Sequence, residues 1–130
     1  MSKTFVFLFM LFCHVFDDYF LQGCLANMKQ KRWWTDNPDP VARQPKYRND
    51  YIMALLMHSV SWSFMVMLPV AIYHDFNIGG MFVFNYVIGV LVHAFIDDQK
   101  ANRHYFNLIQ DQLLHMWQIV CIFVSLVVFA

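Results

Sequence analysis

Apolar residues run along this chain in four long stretches that are separated by more polar segments. The stretches cover roughly residues 4–26, 51–73, 80–98 and 107–130. A helix needs about twenty largely apolar residues to cross the hydrocarbon core of a bilayer. The pattern therefore predicts an all-α protein in which residues 1–130 form a single integral membrane domain with four transmembrane helices.

The segments between these stretches predict how the helices are arranged. Residues 74–79 and 99–106 are short, and short connections join antiparallel neighbours, which predicts an up-down four-helix bundle. In the first of them, Asn77 and the Gly79–Gly80 pair predict a tight turn. The long connection, residues 27–50, holds six of the nine Lys and Arg residues, three prolines and two tryptophans.

The positive-inside rule places this long basic loop in the cytoplasm. If the source is a bacterium or a phage, the protein is then expected in the bacterial inner membrane. The shorter loop with Lys100 and Arg103 falls on the same side. The basic residues of the long loop are interpreted as a topology signal and as headgroup contacts rather than as a binding site.

Composition agrees with a membrane protein and limits the possible partners. Hydrophobic residues make up 59% of the chain and charged residues only 14%, which leaves too little polar surface to cover a soluble domain of 130 residues. The net charge is zero, which argues against nucleic acid as a partner, and the lipid bilayer is the partner expected. An oligomer is compatible with the sequence.

Each apolar stretch contains one histidine at bilayer depth: His14, His58, His93 and His115. Three of these have an aspartate four residues away, on the same helical face: Asp18, Asp97 and Asp111. At about 1.5 Å per residue, each histidine lies roughly 8–12 Å inside the cytoplasmic end of its helix. Charged groups in hydrocarbon are costly and face the bundle interior. The shared level therefore predicts one buried polar site.

Imidazole and carboxylate groups in this number suit one or two divalent transition-metal ions, with zinc expected first and manganese or iron as alternatives. The predicted ligands are His14, Asp18, His58, His93, Asp97, Asp111 and His115. Asp18, Asp97 and Asp111 are also the catalytic candidates, because one carboxylate could stay free as a general base. A carboxylate could instead orient a ligating histidine.

Two neighbouring positions carry alternatives of their own. Asp17 could replace Asp18 as a ligand, and Lys100 could pair with Asp97 or reach a lipid headgroup.

The first function predicted is a metal-dependent hydrolase that acts on a lipid or a lipid-linked phosphate at the cytoplasmic leaflet. The alternative is a small phage-type ion or proton channel, or a membrane effector, in which the His/Asp cluster is a titratable relay. A third interpretation is a passive membrane partner with a structural polar network.

Several segments together resemble a family of small bacterial and phage integral membrane proteins known as domain of unknown function 3307. They are HVFDDYFLQ at residues 14–22, Lys29, His58, HAFID at residues 93–97 followed by Lys100, and DQLLH at residues 111–115. The resemblance implies these functional positions: His14, Asp18, Gln22, His58, His93, Asp97, Lys100, Asp111, Gln112 and His115. The chain departs from the family pattern in its proline-rich basic loop and at Asp98. The family brings no established activity.

Overall fold

The computed structural model describes residues 1–129, and this part of the chain is helical and contains no β-strand. Its six α-helices are α1 (Lys3–Phe16), α2 (Leu25–Met28), α3 (Lys31–Thr35), α4 (Asp50–Tyr73), α5 (Gly80–Ala101) and α6 (Leu108–Phe123). Two of them continue in π-helical turns, α1 over Asp17–Leu21 and α6 over Val124–Val128. A 3-10 turn, Pro45–Tyr47, precedes α4.

Four of these helices are long and apolar enough to cross a membrane, as the hydrophobic pattern predicted. The spans are Lys3–Leu21, Pro45–Tyr73, Gly80–Ala101 and Leu108–Val128. The first span is shorter than predicted, and the second and third are longer. Ala130, the last residue of the predicted fourth span, lies outside the described residues. Only 28–56% of the most apolar window of each span is buried inside the protein. The remaining apolar side chains face outward, as expected of helices that contact lipid.

Side-chain caps fix where two of the long helices begin. The Ser2 hydroxyl accepts a hydrogen bond from the Phe5 amide and starts α1. At the start of α6, Asn107 and Gln110 each accept from the other's backbone N–H, which is a capping box. These caps satisfy amide groups that a helix leaves without intrahelical partners.

The segment that follows α1 packs against the long helix α4. Gly23 has a φ of +49°, a conformation that glycine adopts without steric cost, and it separates the π-helical turn from α2. The indole N–H of Trp34 donates to the Met28 carbonyl at 2.8 Å, and Trp34 is 9% exposed. Both short helices contact α4. This part of the predicted long loop is therefore ordered and packed.

The turn between α4 and α5 contains one of the residues predicted for it. The backbone amide of Asn77 donates to the His74 carbonyl at 2.9 Å, so Asn77 closes the turn. Asp75 and Phe76 adopt left-handed backbone conformations, with φ of 51° and 59°. The prediction was wrong for the glycine pair, because the chain reverses directly at the end of α4, where the Phe76 amide donates to the Ala71 carbonyl at 2.7 Å. Gly79 is extended and caps α5.

One half of the helix assembly has an apolar core. It is formed by the first part of α1 with the last parts of α4 and α6, and its buried members are Val6, Met10, Trp62, Val66, Met67, Val70, Ile119, Ile122, Leu126 and Val127. Partly buried aromatic rings, among them Phe7 and Phe123, pack against it. The other half, toward the long connection, holds the polar residues.

We expect truncation of Met67, which is 1% exposed in the apolar core, to destabilise the fold. Met67→Ala removes packing that cannot be recovered and should lower the free energy of unfolding by about 2 kcal/mol or more. Met57→Ala, ten residues earlier on α4 at a site that is 56% exposed, is the matched control and should leave it nearly unchanged. Unfolding followed in detergent micelles by circular dichroism measures both; equal effects would place Met67 outside the packed core.

Candidate metal centre

Two consecutive carboxylates at the end of α1 are buried. Asp17 and Asp18 lie three and four residues after His14, which places both near its face of the helix. Asp17 is 0% and Asp18 7% exposed. The helix then continues in a π-helical turn, in which the backbone amide of Gln22 donates to the Asp17 carbonyl five residues back, at 3.1 Å. Wide turns of this kind are frequent at functional sites.

The four predicted histidines lie in one cluster, and each is fully buried. The rings of His93 and His115 stack with centroids 4.3 Å apart. His58 lies 5.1 Å from His93, and His14 lies 5.8 Å from His115. The convergence expected from their shared level is therefore present in the fold.

Two groups of three residues place their donor atoms within 4.8 Å of one another: Asp18 with His58 and His93, and His93 with Asp97 and His115. His58 Nε2 is 3.3 Å from both Asp18 Oδ1 and His93 Nε2. His115 Nε2 is likewise 3.3 Å from Asp97 Oδ1. Two ligands at 2.0–2.1 Å from a tetrahedral zinc ion stand roughly 3.3 Å apart. Each group could therefore hold a metal ion, and the groups share His93.

His14 and Asp111, both predicted as ligands, lie beside these groups and have protein partners. His14 Nδ1 accepts from the Trp62 indole N–H at 2.7 Å, and its Nε2 is 3.1 Å from Gln112 Oε1. Asp111 accepts from Gln112 and from Lys100 through Oδ2. Its Oδ1 is 3.5 Å from His115 Nε2. The ligand assignments of His14 and Asp111 stay predictions.

Gln112 links the two sides of the cluster. While its carbonyl oxygen faces His14, its amide nitrogen donates to Asp18 and to Asp111, both at 3.2 Å. Since the indole N–H donates to His14 Nδ1, that nitrogen is unprotonated, and Nε2 is the one that donates to Gln112. The contact thus fixes one tautomer of His14.

Asp17 takes the orienting position that the sequence left open to any of the aspartates. Its Oδ1 accepts from the Ser61 hydroxyl at 2.6 Å, and its Oδ2 is 3.7 Å from Nδ1 of His58. That nitrogen lies on the side of the ring opposite the metal group. This distance is longer than a hydrogen bond, so Asp17 lies beside the ring nitrogen that a carboxylate would bond in order to orient a ligating histidine.

Trp62 is the main residue of the site that sequence reasoning missed. It is fully buried, and its ring stacks on His93 with centroids 4.1 Å apart and an interplanar angle of 21°. Its position four residues after His58 places both on one face of α4, and that spacing was a usable signal. Trp62 also belongs to the apolar core, so it lies where the apolar half of the helix assembly meets the polar half.

Two lysines reach the carboxylates from the side of the long connection. Lys29 Nζ lies 2.5 Å from Asp97 Oδ2, and Lys100 Nζ lies 2.7 Å from Asp111 Oδ2. The predicted pairing of Lys100 with Asp97 is wrong, because Lys29 occupies that carboxylate and α6 brings Asp111 within reach instead. The basic loop was interpreted as a topology signal with headgroup contacts. Lys29 departs from that interpretation, because it pairs with a buried carboxylate of the cluster.

A cleft of about 370 Å³ opens beside these ion pairs. It is lined by Gln22, Ala26, Lys29, Gln30, Asp97, Lys100, Ala101 and His104. Since Asp97 belongs both to this lining and to a metal group, the cleft is an approach to the buried cluster.

Comparisons with protein-family models, with curated proteins and with solved structures gave no match. The resemblance to the family named above stays a prediction, and the site must be judged from its own geometry.

We expect ¹⁵N NMR of the histidine rings to find His14 with a protonated Nε2 and an unprotonated Nδ1. Trp62→Phe keeps an aromatic ring but removes the indole N–H that donates to Nδ1, so the preference for this tautomer should weaken. Phe7→Leu, in the apolar half, is the control and should leave the His14 signals in place. A wild-type His14 protonated at Nδ1 would contradict the contact.

Proposed function

We propose that this chain is an integral membrane protein, an antiparallel four-helix bundle, that binds one or two divalent metal ions and hydrolyses a lipid or lipid-linked phosphate at the cytoplasmic leaflet. Zinc is the ion that mixed histidine and carboxylate ligands at these separations suit best. The observation that carries the proposal is the pair of three-residue groups that share His93, in an otherwise apolar assembly.

The structural alternative accounts less well for the same residues. A polar network that only holds helices together would pair its buried groups with one another. In this cluster, Nε2 of His115 and Oδ1 of Asp111 face each other at 3.5 Å, and both are buried without a hydrogen-bond partner. An imidazole nitrogen and a carboxylate oxygen that face each other without a hydrogen bond are well placed to bind a cation between them.

The orientation is proposed from the distribution of charge. The site lies in the half of the bundle that faces the long connection, where Lys29 and Lys100 reach it. Most of the basic residues are in that connection, so the positive-inside rule places it in the cytoplasm. The inner membrane is then the expected location for a bacterial or phage protein, and the cleft opens toward the cytoplasmic headgroups.

The residues divide into roles that suit hydrolysis. A bound divalent ion supplies polarisation of a phosphoryl oxygen and a lower pKa of its bound water. Asp18, His58, His93, Asp97 and His115 would hold it, and Asp17 would orient His58. Of the three aspartates predicted as catalytic, Asp111 is the one that lies outside both groups, and its Oδ1 has no hydrogen-bond partner, so we assign it the role of accepting a proton.

The shared histidine gives a sharp test of metal binding. Elemental analysis of detergent-purified protein should find one or two zinc ions per chain, and His93→Ala should lose nearly all of it because both groups include His93. His58→Ala and His115→Ala should each affect only one group. His74→Gln is the control, since His74 lies in the turn after α4 and contacts the Leu126 carbonyl instead. Wild-type protein that never carries stoichiometric metal would refute the proposal.

The reaction is tested by release of inorganic phosphate from a lipid phosphate in mixed micelles. Zinc-loaded wild-type protein should release phosphate, and Asp111→Asn should lower the rate by roughly 100-fold or more while it keeps its metal, as expected for loss of a general base. Asp36→Asn is the matched control, because Asp36 is exposed and pairs with Arg32 away from the cluster. An Asp111→Asn variant as active as the control would remove Asp111 from the mechanism.

A proton relay is the second candidate, because the four rings form a continuous series of contacts from His58 through His93 and His115 to His14. It predicts proton flux in liposomes without bound metal, and a large loss of that flux in His93→Ala. Flux that persists in His93→Ala, or that is absent from the metal-free wild type, would exclude the relay.

A further inference from the structure

The cleft beside the cluster has two cationic side chains and only one acidic one, Asp97. Lys29 and Lys100 belong to the lining, and their side chains are 14% and 36% exposed. The other polar members are neutral amides and His104. A group that enters this cleft therefore meets two ammonium groups next to the metal-binding residues.

The position of Lys29 is fixed by contacts of its backbone. Asn102, just after α5, donates to the Lys29 carbonyl at 3.2 Å and accepts from the Lys31 amide at 2.7 Å. The Asn102 amide also donates to Asp98 at 2.9 Å. The segment that carries Lys29 is thus fastened to the end of α5, which carries Lys100. Both ammonium groups are held on the same cleft.

Metal binding removes the negative charge of the cluster, and a second ion makes the cluster positive. Four buried aspartates, Asp17, Asp18, Asp97 and Asp111, face two lysines, so with neutral imidazoles the cluster carries a net charge of −2. One divalent ion brings the sum to zero, and two bring it to +2. A second ion therefore leaves a charge that a phosphate dianion would balance.

A metal ion and a lysine also compete for the same carboxylate. Asp97 belongs to a metal group and accepts from Lys29 at 2.5 Å. A cation bound to Asp97 weakens its attraction for the ammonium group and repels it. The flexible four-carbon stem of Lys29 then lets its ammonium group turn into the cleft. Lysine ammonium groups commonly bind phosphate in proteins.

From these contacts we propose that the cleft is an anion subsite in which Lys29 and Lys100 hold a phosphate group next to the metal ions. The inference rests on the proposed function and adds the residues that recognise its substrate. The ligand chemistry is a phosphate mono- or dianion, which a lipid headgroup or free phosphate can supply.

Titration of the purified, zinc-loaded chain with inorganic phosphate, followed by calorimetry and ³¹P NMR, tests the subsite. Lys29→Met and Lys100→Met should each weaken phosphate binding by roughly tenfold or more, since each removes a charge-assisted contact. Lys29→Arg should keep most of the affinity, which separates the charge from any effect on folding. Lys46→Met is the matched control, because Lys46 is exposed and lies over the Tyr47 ring, outside the cleft.

A second arm distinguishes the source of the phosphate. Nanodiscs with phosphatidic acid and nanodiscs with phosphatidylcholine alone are compared as competitors of inorganic phosphate. Competition by phosphatidic acid that is lost in both methionine variants identifies a lipid phosphate, whereas binding of inorganic phosphate without such competition identifies a soluble one. Either result supports the subsite.

Zinc content, measured on every variant, separates this inference from the proposed function. Variants that keep their zinc and bind phosphate as the wild type does would overturn the subsite and leave the metal site standing. Loss of zinc from Lys29→Met and Lys100→Met would also overturn it, because the lysines would then support the metal residues. If the wild type binds no zinc but needs both lysines for phosphate, the subsite stands and the hydrolase fails.

Discussion

The main constraint on this structure is that the carboxylates buried among its apolar helices must be compensated by partners. An ionised carboxylate in a low-dielectric interior costs several kcal/mol unless charges and hydrogen bonds compensate it. Asp97 and Asp111 have lysine partners, Asp17 has a serine hydroxyl, and Asp18 has Gln112. These partners come from separate parts of the chain, so the cluster joins the long helices to the segment that follows the first of them.

The helix assembly has two halves that are stabilised by different interactions. The apolar half is held by close packing, for which shape matters most, and the polar half is held by directional contacts and charge balance. Trp62 belongs to both, since one ring packs in the apolar core, donates to His14 and stacks on His93. Around both halves, the outward apolar residues provide the surface expected for lipid.

The hydrophobic pattern was enough to predict the four long helices, and the level of the histidines was enough to predict that they meet. Both follow from regular helix geometry, in which position along the sequence gives height and face. Asp17 follows the same geometry, since it lies three residues after His14, near the face that Asp18 also occupies. The ion pair of Lys29 with Asp97 could not be predicted in this way. It depends on how the long connection packs in three dimensions, and therefore it has no periodic signal along the sequence.

The stacking of Trp62 on His93 also gives the site an optical signal of its own. Indole emission responds to nearby charge and to quenching by an adjacent imidazolium or metal ion. The chain has three other tryptophans, Trp33, Trp34 and Trp117, none of which belongs to the histidine cluster. A chain in which phenylalanine replaces those three would emit from Trp62 alone, so that fluorescence reports events at the buried centre without any added dye.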